Sequence, residues 1–253
     1  MIDSSFYFKN RLAKTFGIEL QSPVTVSEPV PRVTRISAPG RNGDYVLFDG
    51  SYENRAITAR CYILDYAMPG QAAKINEWLV GEAGMFEFRD TEDGLHFMRA
   101  RCTSGVPLNT RAHVLGNFEL TFDADPRRFL CLGQKPILPD GGYIRNTRPY
   151  TAYPIVTFTV TALPATLVYI VGNANIHIDI PNESGLAGIT EISYDAERDF
   201  AYTADNDGKL KDMSEYCYAD NTVSLKPGET FFSTSSGNGK AGLKSVIPRW
   251  WEL

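Results

Sequence analysis

The run Ala38-Pro39-Gly40-Arg41-Asn42-Gly43-Asp44-Tyr45 constrains this chain more than any other stretch. Asn-Gly is the pair that takes positive φ at both central positions of a two-residue type I′ turn. Strand-forming residues flank it, with Val33 and Ile36 before and Tyr45, Val46, Leu47 and Phe48 after. The expectation is an antiparallel hairpin with two charges, Arg41 and Asp44, beside its turn.

Strand patterns continue along the chain. Phe16, Ile18 and Leu20 alternate with Gly17 and Glu19, and Ile57, Ala59, Cys61 and Ile63 alternate with Thr58, Arg60 and Tyr62. A period of two marks a strand with one buried and one wetter face. Met85–Arg89, Leu95–Cys102 and His113–Phe122 read as further strands. One segment departs from this: Pro69–Val80 puts Ala72, Ile75, Trp78 and Leu79 on one helical face, and Gly81 can stop it. At Asp125-Pro126 the chain is expected to leave a strand that ends at Phe122. Gly133, Pro136, Pro139, Gly141, Gly142 and Pro149 then have the composition of a connector, which sets a boundary near residue 133.

Residues 134–253 are β-rich again. Val156, Phe158 and Val160 alternate with threonines, Leu167–Val171 is a buried-strand run, and Ile176, Ile178 and Ile180 alternate with His177 and Asp179. Asn173, Asn182–Gly185, Asp205–Gly208 and Lys226–Glu229 supply turns. The fold class is all-β with one short helix, in two domains, 1–133 and 134–253, the second a sandwich.

Charge is balanced enough to exclude one function class. Residues 1–133 carry 15 basic and 16 acidic side chains, and residues 134–253 carry 10 and 14, so neither half has the basic excess of a nucleic-acid binder. No run reaches the roughly 18 apolar residues of a membrane span, and the opening decapeptide lacks a secretory pattern. Cys61, Cys102, Cys131 and Cys217 are scattered, which favours reduced, mostly buried thiols in a protein made in a cytoplasm.

Candidate chemistry is sparse. His96, His113 and His177 are isolated; His177 and Asp179 could share a strand face, but no third metal ligand stands at a matching spacing. Asp205–Gly208 begins like a calcium loop and lacks its continuation. Glu87, Asp90, Glu92 and Asp93 cluster as a hydrolytic acid pair would, yet read better as a polar loop between strands. Ser236–Lys240 is glycine-rich without the spacing of a phosphate loop and reads as a hairpin tip. Trp250 and Trp251 could stack on a sugar or pack into the sandwich. No catalytic residue, metal or cofactor is assigned, and an enzyme is not expected.

The order of features resembles the distal tail protein family of long, non-contractile phage tails (siphovirus tail components). The resemblance rests on Gly40-Arg41-Asn42-Gly43, the lone helix at Pro69–Val80 and the closing segment Phe118–Phe129. It also rests on Lys226-Pro227-Gly228, the Ser/Gly-rich loop Ser233–Gly239 and the aromatic end Pro248–Glu252. It implies an N-terminal β-sandwich or split-barrel domain that continues the tail tube and a C-terminal galectin-like sandwich. Six copies would form a hub ring in the virion tail tip, of a phage or prophage. Its partners would be the tail tube protein and the tip or tail-associated lysin protein, with receptor-binding proteins in some members. Gly40, Arg41, Asn42, Gly43 and Asp44 become a candidate assembly hairpin. A carbohydrate-binding adhesin using the second domain, with Trp250 or Trp251 as platform, is the alternative.

Overall fold

A computed structural model describes residues 4–63, 71–106, 117–186, 188–204 and 208–253. The chain forms two compact units, one ending at Arg128 and one spanning Phe129–Glu252. It is all-β with one α-helix among the described residues.

In the first unit one sheet runs in the order Arg11–Leu12, Phe6–Phe8, Phe86–Asp90, His96–Cys102, Asn117–Leu130, Arg55–Ile63, Ile18–Leu20, and Thr25–Val26 also pairs with Arg55–Ile63. Arg55–Ile63 alternates strictly between buried and more exposed positions, as its period of two requires. The helix Gln71–Val80 buries Ala72, Ile75, Trp78 and Leu79, and this stripe joins Phe6, Phe8, Ile57 and Phe122 in one core. Burying a large apolar side chain of this kind contributes about 1.5–3 kcal/mol. Pro69 and Gly70, the expected helix start, lie outside the described residues.

Three local expectations are corrected here. Asn42-Gly43 does not form a type I′ turn: the last strand pair is Ile36 with Tyr45, and Asn42 is not among the described non-glycine residues with positive φ. The loop instead turns at Pro39-Gly40. Gly40 has φ +79°, and the Arg41 N–H donates to the Ala38 carbonyl at 3.2 Å, the pattern of a type II turn with Pro at its second position. A two-residue hairpin with both φ values positive does occur, at Lys9 (51°) and Asn10 (58°), closed by Phe8 opposite Arg11.

Phe16 is not a strand residue. It ends the 3-10 turn Ala13–Phe16, and Gly17, at φ +73°, releases the chain into Ile18–Leu20. Its ring stacks on Trp78 at 4.3 Å. Nor does Asp125-Pro126 end its strand, which runs from Asn117 to Leu130. Pairing with Arg55–Ile63 stops at Ala124 opposite Arg55, so Pro126 lies beyond the last pair on that side and no ladder donor is missed there.

The second unit holds two five-stranded sheets. One runs Tyr143–Asn146, Gly228–Gly237, Ala165–Val171, Ala174–Ile180, Cys217–Ala219; the other runs Leu210–Asp212, Phe200–Ala204, Glu191–Asp195, Ile155–Val160, Ala241–Ile247. Both contribute to one core that includes Phe158, Tyr169, Ile176, Ile192 and Val246. Tyr143–Asn146 falls inside the stretch expected to be connector.

Ser236–Lys240 is a correction too. Gly228–Gly237 and Ala241–Ile247 belong to different sheets, so the segment is an arch between sheets rather than a hairpin tip. Asn238 fixes it: its amide donates to the Pro164 carbonyl (2.8 Å), and its oxygen accepts from the backbone N–H groups of Thr166 and Lys240. Gly237 is required for close approach, because a Cβ there would stand 2.8 Å from the Thr166 carbonyl oxygen. Gly237→Ala is expected to cost about 1–3 kcal/mol through overpacking, measured as a lowered urea midpoint with an unchanged slope.

Candidate assembly arm

The segment singled out in the sequence stands out in the structure for a different reason. Pro31–Ile36 and Tyr45–Tyr52 form a two-stranded ribbon that joins no larger sheet among the described residues. Cross-strand partners share a face, so Val33, Phe48, Arg35 and Val46 lie on one side and Thr34, Leu47, Ile36 and Tyr45 on the other. Both sides are exposed: Val46 is 59%, Leu47 56%, Phe48 50% and Ile36 47% accessible. An isolated two-stranded ribbon is marginally stable in water, and contiguous apolar surface with open edges is a template for association.

The arm is locally braced. Its register shifts between Pro31 and Val33, where Gly50 takes φ +87°. There the Asp49 carboxylate accepts bonds from both the backbone N–H and the hydroxyl of Ser51. Phe48 packs edge-on against Tyr52 at 5.5 Å. At the tip the Arg41 guanidinium sits 3.9 Å from the Tyr45 ring centroid, a cation–π contact that ties the loop to the strand. The tip residues Gly40, Arg41, Asn42, Gly43 and Asp44 add two charges, Arg41 and Asp44, and the strands behind them carry the apolar surface, interrupted by Arg32, Arg35 and Asp49. That two strand-forming segments flank the turn was readable in the sequence; the exposure of both their faces was not.

The remaining candidates are dispersed. His177 lies 4.0 Å from Asp220 and stacks on Tyr218, whereas Asp179 is exposed on the same strand. No group of three or more metal-ligating side chains occurs among the described residues. His113 and most of Asp205–Gly208 lie outside them. Of the acidic cluster, Glu87 pairs with Arg89, Asp90 accepts the Glu92 N–H at 3.0 Å, and Asp93 binds His96 and Arg128. Burial pushes the Cys61 and Cys217 thiols up to about 12, which keeps them protonated at neutral pH. Trp250 and Trp251 pack, partly buried, against the second core. Trp251 stacks on Tyr150 at 4.3 Å and donates its N–H to the Thr151 carbonyl. No helix among the described residues is long and apolar enough to cross a membrane.

Sequence reasoning passed over Arg55. It lies in register with Ile57, Ala59, Cys61 and Ile63 on the buried face of its strand, and the structure leaves it only 7% exposed. A cation at a core position of an alternating strand was the available signal.

No protein-family profile and no curated protein matches this sequence. Solved structures do match its fold. The SPP1 phage Dit protein, described as a paradigm of the hub adsorption apparatus in phages infecting Gram-positive bacteria, superposes with a TM-score of 0.60 at 10% identity, over 96% of this chain and 98% of its own. A chain of the phage P2 baseplate in its activated, calcium-containing conformation gives 0.55 at 8% identity, over 97% and 98%. The strontium-containing form gives 0.50 at 9%, over 96% and 97%. Over nearly its whole length, this chain has the fold of phage Dit hub and baseplate proteins.

Proposed function

We propose that this protein is a non-enzymatic structural hub of a long, non-contractile phage or prophage tail. Six copies close a ring at the tail tip, between the tail tube and the tip or tail-associated lysin protein. Residues 1–133 build the ring and continue the tube, and residues 134–253 form a galectin-like sandwich outside it. The observation that carries this reading is the two-faced apolar arm on a chain that shares the Dit fold across its whole length. A closed ring needs each subunit to offer two different complementary patches. The arm supplies one of them, and burial against the neighbouring copy covers the surface that this chain leaves in water.

The test is the mass of the particle in solution. The wild-type protein is expected at six times the 28.1-kDa chain mass by light scattering. Leu47→Asp with Phe48→Asp, one change on each face of the arm, is expected to drop the mass to that of one chain without lowering the thermal midpoint. A hexamer that survives this double change removes the arm from the ring contact. A wild-type monomer at tens of micromolar, with tube and tip proteins present, removes the ring itself. Carbohydrate binding through Trp250 or Trp251 is the other reading. It has less support, since Trp251 already spends one ring face on Tyr150. Glycan binding lost on Trp250→Ala would favour it.

A further inference from the structure

A cavity of about 220 Å³ opens in the first unit, away from the arm. Val26, Phe88, Phe97 and Met98 form apolar walls, and Arg55, Asp90, Asp93, His96 and Arg128 supply its polar lining. Three of these polar groups satisfy one another. Asp93 accepts from Arg128 Nη2 at 2.7 Å and lies 3.0 Å from His96 Nδ1. Burial alone would raise the Asp93 carboxyl, but the hydrogen bonds with His96 and Arg128 outweigh it and hold it below the usual carboxylate range.

Arg55 is different. Its Nε donates to the Ser27 carbonyl at 2.6 Å, but its Nη1 is buried without a partner. It makes no ion pair among the described residues; Glu28 acts on it only through space, and the neighbouring Arg128 charge repels it. A guanidinium stays protonated at any ordinary pH, so a buried, unmatched cation is retained at a cost. The other carboxyl at the cavity, Asp90, is pushed up by burial and is engaged by the Glu92 N–H at 3.0 Å rather than by Arg55. With Asp93 matched to Arg128, Arg55 is left as a buried cation without an ion pair among the described residues, beside an apolar wall.

We propose that this cavity binds a single carboxylate carried on a short apolar stem. A carboxylate complements the Arg55 charge, and the stem packs against Phe88, Phe97 and Met98. A phosphate dianion fits less well, because its second charge would face the Asp93 carboxylate. Two sources offer this chemistry: a free short-chain acid, or an acidic side chain of a second copy of this chain. The site itself does not depend on the ring proposed above.

Butyrate is the probe, with butyramide and sodium chloride at equal concentration as controls. The readout is the methyl spectrum of 13C-methionine-labelled protein, in which Met98 reports the cavity, and far-ultraviolet circular dichroism reports the fold. Butyrate is expected to shift Met98 saturably, butyramide and chloride are not, and Arg55→Gln is expected to weaken the response at least tenfold. If Arg55→Gln fails to fold, as judged by circular dichroism, Arg55→Lys takes its place, with weakened but measurable binding. The source is read from the same spectra alongside sedimentation. A free acid leaves Met98 unchanged when the protein alone is concentrated. A side chain from a second copy moves Met98 as association rises, and butyrate reverses both changes. Three results overturn the site: Met98 indifferent to butyrate and to protein concentration, butyramide acting as well as butyrate, or a folded Arg55→Gln protein that responds like wild type.

Discussion

Asp195→Ala is expected to lower the unfolding free energy of the second unit by about 3–5 kcal/mol. Asp195 and Arg249 form a bidentate pair, Nη1 to Oδ1 at 2.6 Å and Nη2 to Oδ2 at 2.9 Å, with side chains only 4% and 9% exposed. Removing the aspartate leaves Arg249 buried with Glu197 at 3.4 Å as its remaining carboxylate. It also removes the acceptor of the Glu197 N–H, a 3.0 Å turn bond. Two further variants separate these effects. Asp195→Asn keeps the turn acceptor and drops the charge. Asp195→Leu combined with Arg249→Met removes both charges and fills similar volume, and it is expected to recover most of the loss, as buried pairs replaced by apolar residues generally do. Arg249 has φ +58°, a strain that methionine inherits unchanged, so it cancels in the comparison. Urea denaturation measures all three. If the double variant is as unstable as Asp195→Ala, the loss comes from the turn and not from a stranded charge.

How much of this molecule was legible depended on whether a residue's neighbours were near in sequence. The strand Arg55–Ile63 and the helix Gln71–Val80 follow from their periodicities, because each buries a regular set of its own side chains. Turn type was less legible, because the length of a hairpin loop depends on where pairing begins. Asn42-Gly43 carries the residues of a type I′ turn, yet pairing stops at Ile36 and Tyr45, and the longer loop turns at Pro39-Gly40. Lys9-Asn10 takes the type I′ conformation without a glycine because Phe8 and Arg11 pair directly across it. Pro126 misled for a similar reason: its effect depends on whether a partner strand still runs beside it, which is a property of the sheet. The candidate site was the least legible. The unbroken apolar run Val46–Phe48 reads as a strand covered on both faces, and nothing in the sequence says that both faces are exposed.

Trp78→Ala is the change with the largest expected effect on the first unit, about 3–5 kcal/mol for loss of a buried tryptophan. The indole is the hub of an aromatic cluster. It stacks on Phe16 at 4.3 Å and lies 6.0 Å from Phe8 at 65° and 6.3 Å from Phe6, while its N–H donates to the Phe8 carbonyl at 3.1 Å. Alanine leaves a cavity between helix and sheet and an unpaired carbonyl. Trp78→Phe keeps part of the packing and loses the donor, so a smaller loss is expected, with about 1–3 kcal/mol of it due to the orphaned carbonyl. Tryptophan placement makes the experiment unit-specific. The other two tryptophans, Trp250 and Trp251, lie in the second unit, so the residual fluorescence of Trp78→Ala reports that unit alone. Far-ultraviolet circular dichroism reports both. The expected result is a split transition in urea, with a dichroism change at low denaturant that fluorescence does not follow. Coincident transitions at a lowered midpoint would mean that the two units unfold as one, with the Trp78 cluster stabilising the whole chain.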